Sequence, residues 1–297
     1  MHFFFLAVLA LFASAQDNPL RREWSSAPVR ILHGLGSSCR ETSPELRGVC
    51  VETGGGTLSA SRSINQQASV ACTALTNEAG SLSRGFHILA LAQGGLVARV
   101  LLHRCLQINR LIRKIVFVGT PHLGTEVFPA FSVAFGPGPA RSASRLVSSF
   151  SRASNSAASH YFTGRGEPAY LRELNSPAYD LLYSRLEGLV NVLSVAENVV
   201  VPPSSVTFGA VANPATKAIV PAENLPFYVE HSKGIGALYR NGKMVNCFSN
   251  TPHARLSIQE ANAVYSAFFG PPGDSPASSI RKFVYAFPAK CTGVFVE

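Results

Sequence analysis

Acidic residues are scarce in this chain. Asp and Glu number 17 against 26 Lys and Arg in 297 residues, leaving a formal net charge of +9 that is mostly arginine. Basic and aromatic residues are not interleaved, which argues against a nucleic-acid groove as the reason for that charge. Six cysteines occur, but no two stand at Cys-x-x-Cys spacing, so a zinc site is not expected. No cofactor is expected. No Asn-x-Ser/Thr acceptor is present: Asn250-Thr251-Pro252 does not qualify, having proline and not Ser or Thr at its third position, so mannose-based lysosomal sorting through N-glycans has no handle. The last residues, Val294-Phe295-Val296-Glu297, are not a Lys-Asp-Glu-Leu retention signal. No apolar run approaches the roughly 20 residues that a membrane-spanning helix needs, and no internal repeat is visible.

One short apolar run stands out, at residues 3–12, and it closes on Ala13-Ser14-Ala15, the small-x-small pattern of signal-peptidase cleavage. Residues 1–15 are therefore expected to be a signal peptide, although the charged leading region is weak. The destination is the secretory pathway, lysosomal or secreted. In that oxidising setting some of Cys39, Cys50, Cys72, Cys105, Cys247 and Cys291 should pair. The net charge is untouched by removal of residues 1–15, which carry no Lys, Arg, Asp or Glu. Arg99, Arg104, Arg110, Arg113 and Lys114 crowd one helix end and the loop after it. They read as a solvated helix terminus, or as a surface for anionic lipid or an acidic protein.

From residue 16 to 273 apolar strands and helical patterns alternate, the mark of a mostly parallel sheet with helices on both faces. Strands are predicted at 29–32, 49–52, 86–91, 114–118, 188–195 and 244–248. Helices are predicted at 64–75, with Ile64, Ala68, Ala71 and Leu75 on one face, at 95–106 and at 256–269, the last ended by Gly270-Pro271-Pro272-Gly273. Residues 128–187 break the pattern. They are rich in Ser, Ala, Gly and Pro, too long for a plain loop, and suit a lid inserted over a site. Residues 274–297 read as a tail carrying Cys291.

The segment richest in chemistry is strand 86–91, then Ala92-Gln93-Gly94-Gly95, then a helix. Strand, sharp turn of small residues and helix is the layout of a nucleophile elbow, in which the central side chain of Gly-x-Ser-x-Gly is lifted above the carboxyl edge of the sheet. Ala90 and Gly94 fill the two small positions, and the residue between them at the nucleophile position is Ala92. The chain here resembles the palmitoyl-protein thioesterases. His33-Gly34-Leu35-Gly36-Ser37-Ser38-Cys39 is similar to their first loop, His-Gly-Met-Gly-Asp-Ser-Cys. Asn65, Val70-Ala71-Cys72 and Ala74-Leu75 match their first helix, and Ala92-Gln93-Gly94-Gly95 matches their Ser-Gln-Gly-Gly elbow. His103-Arg104-Cys105, Asn241-Gly242-Lys243-Met244-Val245 and Pro252-His253-Ala254-Arg255-Leu256-Ser257 follow in order. The resemblance runs from residue 29 to about 269 and is poorest in the lid.

That resemblance implies an α/β-hydrolase fold and a Ser, Asp and His triad that hydrolyses long-chain acyl thioesters on cysteine. Carried over residue by residue, the base is His253, the nucleophile position is Ala92, and the acid position falls on Val201, which cannot serve. Glu197, earlier on the same loop, is a possible substitute acid. The oxyanion hole would be the backbone N–H groups of Leu35 and Gln93. Cys72 and Cys105 align with a family disulfide, whereas the adjacent cysteine pair expected at Cys39 is lost, because Arg40 follows. His33 is expected to order the oxyanion loop, His122 to form a wall, and Ser37 or Ser38 to be the nearest alternative hydroxyls. Three readings result. The first is a catalytically silent thioesterase relative that binds S-acylated proteins or fatty acyl chains. The second is an active thioesterase using His253 and another nucleophile. The third is a secreted interaction protein with a basic surface.

Overall fold

The computed structural model describes residues 27–42, 45–127, 156–163, 166–213, 216, 218–220, 224–270, 276–288 and 290–292. The expected signal peptide, residues 1–15, and much of the expected lid, residues 128–155, lie outside them. Seven strands form one sheet: β1 (Val29–Leu32), β2 (Val49–Val51), β3 (Phe86–Leu91), β4 (Ile112–Val118), β5 (Gly188–Ser194), β6 (Met244–Ser249) and β7 (Cys291–Thr292), in the order β2-β1-β3-β4-β5-β6-β7. All neighbours are parallel except β6 and β7.

Four helices matter to the site and its support: α1 (Ile64–Asn77), α2 (Gly94–Arg104), α3 (Ile258–Ala263), which runs on as a π-helical turn Val264–Phe268, and α4 (Pro276–Ala286). Helix α1 starts where the sequence offers a capping box. Gln66 N–H donates to the Ser63 hydroxyl at 3.2 Å, and the Gln66 side chain accepts from Ser63 N–H at 2.9 Å. Its stripe of Ile64, Ala68, Ala71 and Leu75 is buried as the spacing predicts. The inner strands alternate between two cores. Ile88, Ala90, Ile115 and Phe117 pack toward α1 and α2, while Leu89, Val116 and Val118 pack toward Phe268, Ile280 and Phe283. Burial on both faces explains why β3 reads as an uncharged, mostly apolar run, interrupted only by His87. This is the α/β-hydrolase arrangement.

The structure adds to three sequence expectations. Within the segment read as a tail, the described residues include α4, which places Ile280 and Phe283 in the core, and Cys291, which lies on the edge strand β7. The pairing of Cys39, Cys50, Cys247 and Cys291, open in the sequence, is now defined: Cys39 bonds Cys50, and Cys247 bonds Cys291, alongside the expected Cys72–Cys105 between α1 and the end of α2. No cysteine is free, which fits an oxidising compartment, and no described helix is long and apolar enough to cross a membrane. The basic cluster is also not a single solvated face. Arg99 is buried and donates to the Tyr183 hydroxyl, the His122 and Leu174 carbonyls and Asn175 Oδ1. Lys114 is buried too, donating to the Phe268 carbonyl and Ser279. Arg104 pairs with Glu173 and Arg113 with Glu187. An isolated buried charge is costly, so the fold surrounds each cation with oxygen acceptors.

Candidate active site

Parallel pairing brings the strands' carboxyl ends together. Leu32 lies opposite Ala90, Leu91 opposite Val118, and Ser194 opposite Ser249. Loops leaving that edge carry Leu35, Ala92, Glu197 and His253, from four separate stretches of chain. Open α/β sheets place their sites at this edge because the loops converge there.

The turn after β3 is an elbow in geometry as well as in sequence. Ala92 has φ +46°, and its N–H donates to the Val118 carbonyl at 2.8 Å. A left-handed backbone at a residue with a Cβ costs about 1–2 kcal/mol and is held here by its surroundings. The next small residue is required by close approach. A Cβ on Gly94 would run into the carbonyl oxygens of Leu32 and His33. Ala254, directly after His253, is a second strained position with φ +55°. Two of the three described non-glycine residues with positive φ therefore belong to this site.

His253 is held from two sides. A Cβ on Gly119, at the end of β4, would come within 2.8 Å of its Cε1, so only glycine lets the ring lie there. Nδ1 is 2.9 Å from the carboxylate of Glu197. That carboxylate is fully buried, and its Oε1 also accepts from the N–H groups of Val199 and Val200 at 3.0 and 3.1 Å. Glu197, and not Val201, thus meets the histidine. Val201 packs on Val127, and its N–H donates to the Thr125 hydroxyl. The position aligned with the family's acid does not reach the histidine, because the chain turns at residues 197–200 and its amides enclose the Glu197 carboxylate.

The first loop is braced by Glu52. Its carboxylate accepts from His33 Nε2 at 2.8 Å and from the Cys39 and Gly54 N–H groups at 3.0 and 3.1 Å. Partial burial acts to raise the Glu52 pKa, but the two amides and His33 outweigh it and hold the carboxyl below its ordinary value. His33 thus orders the loop that carries Leu35. His33, Cys39 and Glu52 converge closely enough to hold a metal ion, but the Cys39 sulfur is in a disulfide, and His33 and Glu52 bond each other. Neither the Leu35 nor the Gln93 backbone N–H has an intramolecular acceptor among the described residues. The Gln93 side chain is buried and donates to Ser59 O and Gln67 Oε1, while accepting from the Tyr161 hydroxyl at 3.1 Å. Burial raises the Tyr161 pKa, so it remains a donor.

Leu35, Ser37, Ala92, Gln93, Tyr161 and His253 line one open cavity of about 1050 Å³, with Leu46, Val199, Val200, Leu256 and Ile258 as its apolar walls. Sequence reasoning did not find Tyr161, Gln67 or these wall residues, which carry no local signal. His122 is buried outside the cavity, stacked on Phe208, with Nε2 on Asn191 Oδ1, and burial and Arg99 lower its pKa. No hydrogen bond joins the Ser37 or Ser38 hydroxyl to His253 among the described residues.

A family description, palmitoyl protein thioesterase, matches residues 28–253, well over half of the chain. The chain belongs to the palmitoyl-protein thioesterase family. Within that family it carries alanine on the elbow. No curated protein sequence matches it. Among solved structures it is similar to Bacillus licheniformis lipase BlEst2. Identity is 14% to the mature form (TM-score 0.42, covering 68% of this chain and 80% of that one), while it spans 36% of the propeptide form. A Paleococcus ferrophilus monoacylglycerol lipase gives 11% identity and a TM-score of 0.40, over 89% of this chain and 97% of that one. These likenesses are weak, and no conclusion rests on them.

Proposed function

We propose that this thioesterase-family protein binds long-chain acyl groups, free or as thioesters on protein cysteine, and forms no acyl-enzyme. The carrying observation is Ala92 on the elbow, lining with His253 the same large, mostly apolar cavity. A methyl group has no electron pair with which to attack a carbonyl. Turnover is therefore far below that of a serine-bearing relative, since losing a triad nucleophile costs on the order of 10⁶-fold in a protease. The cavity is of the size that takes a small ligand. Each buried methylene contributes up to about 0.8 kcal/mol, enough for firm binding without cleavage. The pairing of Glu197 with His253 supports Glu197 as the carboxylate partner of the base, in place of Val201. The open amides of Leu35 and Gln93 support an oxyanion hole. The three disulfides support a lumenal or secreted address, lysosomal or extracellular.

Displacement of a fluorescent fatty acid by palmitate and by a palmitoylated peptide, combined with intact mass after fluorophosphonate treatment, tests the reading. Displacement without a covalent adduct is expected. An adduct on any serine would favour a nucleophile that has moved, Ser37 being the hydroxyl in the cavity. Failure to displace would leave the third reading, a surface-binding protein, with Arg99 and Lys114 already withdrawn from its surface.

A further inference from the structure

Glu197 and His253 form a finished pair at a place where residue 92 offers no hydroxyl to deprotonate. The carboxylate is fully buried and takes three donors, two backbone amides and the imidazole. Such burial is costly unless the charge is hydrogen-bonded, and here the loop 197–200 supplies two of the donors. With Nδ1 donating to the carboxylate, the proton-accepting nitrogen is Nε2, for which no hydrogen-bond partner is found among the described residues. Its ring lines the same cavity as Ala92 and the two open amides. A methyl in place of a hydroxymethyl frees room for one solvent-sized group at this point of an open cavity.

We infer that the His253–Glu197 pair activates water directly, making the protein a slow thioester hydrolase that forms no acyl-enzyme. This rests on the proposal that the cavity receives an acyl thioester. Nε2 takes a proton from water as the water oxygen bonds to the thioester carbonyl carbon. The carbonyl oxygen becomes an oxyanion, stabilised by the Leu35 and Gln93 N–H groups. On collapse the C–S bond breaks, and the sulfur leaves with the proton from Nε2. One water is consumed, a carboxylic acid and a thiol are formed, and no electron donor or acceptor is needed. His253 is the catalytic residue, and Glu197 is a positioning residue that acts through it.

General-base catalysis contributes about 10²–10⁴-fold, and oxyanion stabilisation with binding retains about 10³–10⁴-fold over water when a triad member is gone. The test is single-turnover release of palmitate from a palmitoylated cysteine peptide, with excess disulfide-bonded protein, alongside His253→Ala and Glu197→Gln. Binding is measured separately by fluorescent fatty acid displacement, and acylation by intact mass. Expected are release at least about 10²-fold faster than in solution, no acyl adduct, and a loss of about 10²-fold in His253→Ala. A smaller loss in Glu197→Gln should fall on the rate constant and not on the binding constant. His253 is partly exposed, so its variant carries the test if Glu197→Gln misfolds. Equal rates for parent and His253→Ala, with binding intact, would overturn water activation while the acyl-binding reading stands. A covalent adduct during turnover would overturn direct attack. Absence of binding would remove the reading on which the inference rests.

Discussion

Returning a hydroxyl to the elbow, Ala92→Ser, is the most informative perturbation. Backbone cost should be close to nil, since alanine and serine share the Cβ that already tolerates φ +46°. The added oxygen enters an open cavity, not a packed core. The base is in place, with Nδ1 2.9 Å from a buried carboxylate, and the amides of Leu35 and Gln93 are open. On the proposed reading of the site only the nucleophile is missing, and such a loss alone accounts for about 10⁶-fold in the protease case. Part of that is forfeited if the substrate sits differently in this cavity, so a gain of about 10³–10⁵-fold in kcat is expected, roughly 4–7 kcal/mol of barrier. A fluorogenic palmitoyl thioester reads the rate, and a burst equal to the protein concentration reads acyl-enzyme formation. His253→Ala in the same background should abolish both. A well-folded Ala92→Ser protein that neither bursts nor outpaces the parent would refute the elbow argument.

Acid should destabilise the fold. Burial together with nearby Lys114 and Arg113 lowers the His87 pKa to about 3, and burial with Arg99 and Arg104 does the same to His103. These rings are neutral when folded and take up protons when unfolded, so their contribution is complete above the unfolded value near 6.5 and declines as pH falls toward 3. At about pH 5 each costs roughly 2 kcal/mol, and a Tm unchanged between about pH 7 and 5 would contradict this. Cys72→Ala with Cys105→Ala should destabilise by about 1 kcal/mol more than Cys39→Ala with Cys50→Ala. Their separations are 33 and 11 residues, and loop-closure entropy grows as about (3/2)RT ln n. Denaturant midpoints decide the order. Arg99→Met should cost about 3 kcal/mol or more, by stranding the carbonyls of His122 and Leu174, and should speed proteolysis within residues 169–185.

The local pattern of the chain determined a good deal. Periodicity placed the parallel strands, and small residues around Ala92 marked the elbow, because close approach of strand and helix excludes larger side chains whatever surrounds them. The order of segments placed His253 after the last parallel strand. What lay beyond the sequence depended on contacts between distant segments. Val201 and Glu197 are four residues apart, and only the fold-back of the loop decides which of them meets His253. Whether Arg99 and Lys114 face water or oxygen acceptors depends on residues 174–183 in the first case and on Phe268 and Ser279 in the second. Partners for Cys39, Cys247 and Cys291, and the docking of α4, follow from which strand edges and helix faces meet. Tyr161 reaches Gln93 across 68 residues. Short-range geometry is written in neighbouring residues, whereas burial and pairing are properties of surfaces that exist only once the chain has folded.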